Sequence, residues 1–120
     1  MLFTRAPKYV TPEDAAAALS EGKLMLVDVR NAEERTEGYV AGSLHIPLDE
    51  LPGRLGALPS GQPVAFVCRS GARSSRAARA AAKQGTQALN LRGGMLAWQK
   101  AGLATEPADQ LTRESAGQRA

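Results

Sequence analysis

The sequence predicts an α/β fold, a parallel sheet covered by helices on both faces. Three observations predict it. Short apolar runs alternate with helix-forming runs along the chain. Two of the apolar runs, "KLMLVDVR" and "QPVAFV", are nearly continuous, as expected of strands buried on both sides. The runs between them carry helix caps at their starts and glycines at their ends.

In "YVTPEDAAAALSEG" a strand end passes into a helix. Thr11 is a good N-cap, Pro12 suits the first helical position, Asp14 completes a capping-box-like pair, and Gly22 stops the helix. "KLMLVDVR" is the first buried strand. "NAEERTEG" is a short helix capped by Asn31 and closed by Gly38. "SLHIPL" is a short strand ending at Pro47, and "DELPGRLGAL" a helix broken at Pro52 and Gly53. "QPVAFV" is the second buried strand and runs straight into Cys68. "SSRAARAAAKQG" has strong helix propensity, beginning near Ser74. "QALNL" is a strand, and "GGMLAWQKAG" is the last helix, ended by Gly102.

A chain of 120 residues fits one domain with a small core. Aromatics are only 4% of it, so aliphatic residues build most of that core. A net charge of +3 is too weak a bias to imply nucleic acid, and the few aromatics argue against a base-stacking surface. One cysteine forms no internal disulfide, and with one histidine, His45, no metal-type spacing exists. The opening "MLFTRAPKYV" has no long apolar stretch behind its charge, and no window approaches a transmembrane length. The expectation is a cytoplasmic protein with no membrane or nucleic-acid partner, a monomer or a weak dimer. After Leu103 the composition turns polar, so residues 1–103 form the expected domain and 104–120 a tail without catalytic role.

The informative stretch is "CRSGARS". In a parallel α/β sheet, ligands bind at the C-terminal end of central strands. Cys68 stands at such an end, and the next five positions hold Gly71 and two arginines, Arg69 and Arg73. A short loop containing glycine turns several backbone N–H groups inward, and the following helix adds the positive end of its dipole. With the arginine charges, these effects favour thiolate over thiol, placing Cys68 below the free value of ~8.5. The sequence therefore predicts a reactive, anion-binding nucleophile rather than a cysteine that merely closes a core strand.

"CRSGARS" resembles the active-site loop of the rhodanese-like sulfurtransferases. "LVDVRNAEERTEGYVAGSLHIP" resembles the family's first signature, an Asp-x-Arg strand end followed by Glu, Gly and a Gly-x-x-x-Ile-Pro segment. "LRGGMLAWQKAGL" resembles its closing one. These segments follow the family's order from about Val10 to Leu103. The resemblance implies a five-stranded parallel sheet, a single-domain member, and covalent sulfur transfer with no metal or organic cofactor. Cys68 would attack a small anionic donor such as thiosulfate, then pass the sulfur to cyanide, a thiol or a protein. The amides of Arg69, Ser70, Gly71, Ala72, Arg73 and Ser74 would hold the persulfide. Arg69 and Arg73 would attract the donor, and Ser70 and Ser74 would add hydrogen bonds.

Two rivals stand beside this reading. The first is phosphoryl or arsenate chemistry: tyrosine phosphatases and related dual-specificity enzymes use a wider loop, with five residues between Cys and Arg. Here four separate Cys68 from Arg73, and Val67 rather than His precedes the cysteine. Some rhodanese-like domains serve as non-catalytic binding or relay modules, a reading weakened by the presence of Cys68. Asp28 and Arg30 are expected to be structural, Arg30 pairing with a carboxylate such as Glu34. His45 is not expected to act as a base. Tyr39 stands where the family often has His. Arg76, Arg79 and Lys83 read as a solvated helix face that could also steer anions. Trp98 reads as core, Met95 as lining the mouth of the site, and Gly93 and Gly94 as either letting backbone approach the pocket or simply making the turn.

Overall fold

The computed structural model describes residues 8–107. The chain runs β1 (Lys8–Val10), α1 (Pro12–Ser20), β2 (Met25–Asp28), α2 (Ala32–Thr36), β3 (Leu44–His45), a 3-10 helix (Leu51–Ala57), β4 (Pro63–Val67), α3 (Ala72–Lys83), β5 (Gln87–Leu91) and α4 (Gly94–Lys100). The strands form one sheet in the order β1-β5-β4-β2-β3, each neighbouring pair parallel. The five-stranded parallel sheet is thus as the sequence predicts.

Local chemistry explains the helix starts. Thr11 Oγ1 accepts from the Asp14 amide. Asn31 and Glu34 form a full capping box, with each side chain bonded to the other's backbone amide. Pro52, Gly53 and Gly56 are poor α-helix formers, so "DELPGRLGAL" closes as a tighter 3-10 segment. α3 starts at Ala72, two residues before the expected Ser74, because Gly71 makes its turn at a φ of +122°.

The sheet's pleat divides the core. On one face Val27, Val29, Val64 and Phe66 pack with Leu51 of the 3-10 helix and with Ala77, Ala78 and Ala81 of α3. On the other, Leu26, Ala65, Val67 and Leu91 pack with Ala15 of α1 and with Met95 and Trp98 of α4. The three buried alanines let α3 sit close to the sheet, whereas Ala82 faces solvent. Met95 does not line the mouth of the site; it is buried in the second core beside Trp98. Arg76, Arg79 and Lys83 are exposed on α3.

Beyond α4 the chain returns along the domain. The Trp98 indole N–H donates to Ala104 O at 2.9 Å. Glu106 forms an antiparallel bridge with Tyr39, with N–O distances of 2.7 and 3.0 Å. The rest of the expected tail, 108–120, lies outside the described residues. Among those described, no helix is long and apolar enough to cross a membrane.

Candidate active site

The loops that leave β2, β4 and β5 meet at one edge of the sheet. Cys68 follows the last residue of β4, the central strand, with neighbours β2 and β5 on either side. Its side chain is 1% exposed.

The loop turns its donors toward the sulfur. The Gly71 amide donates to Sγ at 3.1 Å and the Ser74 amide at 3.4 Å, with Ser74 Oγ 3.3 Å away. The loop's carbonyls are held on the other side. Cys68 O accepts from the Met95 amide at 2.8 Å, and Arg69 O from the Leu96 amide at 3.1 Å. The N-terminus of α4 thus takes up the carbonyls, leaving the amides free to converge on sulfur. Gly94 makes this approach possible, since a Cβ there would lie 2.5 Å from both carbonyl oxygens.

Burial pushes the Cys68 thiol up. The Ser74 hydroxyl and the amides of Ser74, Gly71 and Ser70 outweigh it, and the thiol sits below its ordinary value. The sequence predicts this direction, but through the arginines as well as the amides. Arg73 is instead drawn to Glu34, its Nη1 and Nη2 donating to the carboxylate at 2.6 and 2.8 Å. That guanidinium holds the Glu34 carboxyl down at about 2. Arg69 and Ser70 are exposed on the loop, as is Ala72 at the start of α3.

The Asp-x-Arg strand end is a buried structural cluster. Arg30 donates to Asp28 through Nε and Nη2, the shortest contact being 2.8 Å. Its Nη1 donates to the Glu34 backbone carbonyl at 3.2 Å, so the expected Arg30–Glu34 ion pair does not form. Asp28 is the nearer carboxylate, and that of Glu34 is turned to Arg73 and the Asn31 amide. Arg35 also reaches Asp28 at 3.2 Å, bonds Ser43 and lies 4.4 Å over the Tyr39 ring. His45 Nε2–H donates to Arg30 O at 2.7 Å, which holds the ring at the β3 end. Among the described residues no group of three His, Cys, Asp or Glu gathers as metal ligands.

Two clefts flank the loop. One, of about 370 Å³, is bounded by Val29, Asn31, Leu48, Asp49, Arg73 and Arg76. The other, of about 620 Å³, is bounded by Tyr9, Ser70, Gly71, Asn90, Arg92 and Gly93. Two residues with no part in the sequence-based site enter here. Glu34 clasps Arg73, and Asn90 reaches the loop from β5. An amide side chain set between leucines near the end of "QALNL" is the signal that could have found Asn90.

The rhodanese-like domain family matches residues 11–101. A sulfurtransferase of Allochromatium vinosum is 40% identical over 81 residues, 67% of this chain and 76% of that protein. A rhodanese-like domain protein from Staphylococcus aureus is similar in structure, with a TM-score of 0.74 and 32% identity over 83% of this chain and 97% of that one. A rhodanese-related protein from Thermoplasma volcanium shares the fold at a TM-score of 0.77 and 24% identity, covering 82% of this chain and 97% of that one. The cysteine loop at the end of the central strand lies inside the matched span, and the chain belongs to the rhodanese-like sulfurtransferase family.

Proposed function

We propose that the protein moves sulfane sulfur from a small anionic donor such as thiosulfate to a thiophilic acceptor through a Cys68 persulfide. The observation that carries this is the convergence of the loop amides and the Ser74 hydroxyl on Cys68 Sγ. A thiolate so stabilised is a nucleophile without a partner base, consistent with His45 being engaged elsewhere.

In the first half-reaction the thiolate attacks the outer sulfur of thiosulfate. A new S–S bond forms, the old one breaks, and sulfite departs with the bonding pair. The persulfide keeps one negative charge, which the loop amides receive. In the second, cyanide, a thiol or a protein nucleophile attacks the outer sulfur, and its bond to Sγ breaks to restore the thiolate. Arg69, exposed on the loop, supplies attraction for the dianion. Arg73 contributes less than a free guanidinium, because Glu34 offsets its charge. Four residues between Cys68 and Arg73, with the amides focused on one sulfur, favour this chemistry over phosphate or arsenate.

The test is the intact mass after incubation with thiosulfate, beside Cys68→Ala, followed by a cyanide chase. One added sulfur atom on the wild type alone, removed by cyanide, is the expected result. A folded, reduced protein that gains no sulfur refutes thiosulfate as the donor, and Cys68→Ala turnover near wild type refutes the mechanism.

A further inference from the structure

One hydroxyl proton serves three acceptors at the base of the loop. Ser74 Oγ lies 2.6 Å from Asn90 Oδ1, 3.2 Å from Gly71 O and 3.3 Å from Cys68 Sγ. Ser74, Asn90 and Cys68 are 0%, 1% and 1% exposed, so water does not make up a lost bond. Asn90 is held with its oxygen toward Ser74, because its Nδ2 donates to Gly71 O at 3.2 Å. The proton goes first to the shortest contact, Asn90. A neutral Cys68 then donates its own S–H to Ser74 Oγ.

Deprotonation of the sulfur changes the order. A thiolate is a charged acceptor, and charge-assisted hydrogen bonds are roughly twice as strong as neutral ones. For Ser74 to donate to it, the hydroxyl must leave Asn90. Asn90 Oδ1 then faces an oxygen lone pair at the 2.6 Å contact, with no proton between. We propose that Asn90 is a positioning residue that draws the Ser74 hydroxyl away from Cys68, so that this donor turns to the sulfur only when the sulfur is charged. Once Sγ is capped by a second sulfur, the hydroxyl returns to Asn90. Only hydrogen bonds exchange in this cycle; no proton leaves Ser74. The inference rests on Cys68 as the reacting group proposed above, but its test uses no sulfur donor.

The charged groups around the loop are Arg69 within it, Arg73 of α3 clasped by Glu34 of α2, Arg76 of α3 and Asp49 in the flanking cleft, the Asp28–Arg30–Arg35 cluster at the end of β2, and Arg92 after β5. A change at Asn90 alters none of these charges. The measurement is the pH dependence of iodoacetamide alkylation of Cys68, the only cysteine in the chain. It compares wild type, Asn90→Leu, Ser74→Ala and the double variant. Asn90→Leu should move the midpoint down by about 0.5–1 unit, giving roughly 3- to 10-fold more thiolate at low pH. Ser74→Ala should move it up, and in that background Asn90→Leu should have no effect. A midpoint unchanged or raised by Asn90→Leu, or the same fall without the hydroxyl, overturns the proposal. If Asn90→Leu does not fold, Asn90→Val, suited to a strand, gives the same reading. The expected shifts together with no sulfur uptake from thiosulfate would refute that donor and uphold the role of Asn90.

Discussion

Replacing Gly94 by alanine should damage both stability and site. Gly94 has a φ of +63°, and its added Cβ would lie 2.5 Å from the carbonyl oxygens of Cys68 and Arg69. Both are backbone atoms bonded to the α4 amides, so they yield only by loosening the loop. The left-handed conformation costs an L-residue about 1–2 kcal/mol. Forcing a methyl into a packed contact costs about 1–3 kcal/mol more, roughly 2–5 kcal/mol together. Gly22 is the control, with a φ of +71° and nothing within 4 Å of its added Cβ. Gly22→Ala should cost the backbone part alone, about 1–2 kcal/mol. Urea unfolding of the two variants isolates the steric part by difference. Alkylation of Cys68 at neutral pH reports the loop and should slow in Gly94→Ala alone. A Gly94→Ala protein as stable as Gly22→Ala, alkylating at the wild-type rate, would refute the claim that α4 holds the loop through this contact.

The Glu34–Arg73 clasp supports predictions of opposite sign. Arg73→Ala leaves a carboxylate beside the anion's path and should raise KM for thiosulfate, while Glu34→Gln frees the guanidinium and should lower it. An exposed charge worth about 1 kcal/mol corresponds to roughly fivefold in each direction; steady-state kinetics showing the same sign for both would sink the argument. Because Glu34 falls from 4.5 to about 2 in the folded chain, its stabilisation is complete above pH 4.5 and is lost as pH falls toward 2. With side chains 35% and 21% exposed, the pair contributes at most about 1 kcal/mol. The difference between wild type and Glu34→Gln in urea should therefore be present at about pH 6 and shrink at about pH 2.5. A difference that grows with acid would contradict this. Cys68→Ala should abolish sulfur uptake yet unfold cooperatively near the wild-type midpoint, and loss of the fold would show the cysteine to be structural.

The sequence by itself determined what depends on neighbours along the chain. Helix starts follow from Thr11 and Asn31, whose side chains bond amides three residues on. The two apolar runs mark central strands because burial on both faces favours apolar side chains along their length, and the one charge in the two strands, Asp28 at the end of β2, is buried with Arg30 and Arg35 as partners. Cys68 with Gly71 marked the proposed nucleophile, since a tight loop after a strand places its amides within reach of the side chain that follows the strand. Only the tertiary structure decided what crosses between elements. Arg73 finds Glu34 across 39 positions, and Asn90 finds Ser74 across 16. Gly94 sets the loop by what it touches rather than by how it turns, and Met95 is buried because α4 lays that face on the sheet. These partners share no local pattern. They meet because parallel pairing brings the C-terminal ends of β2, β4 and β5 to one edge, so the loops leaving them converge where the chain alone records only distance.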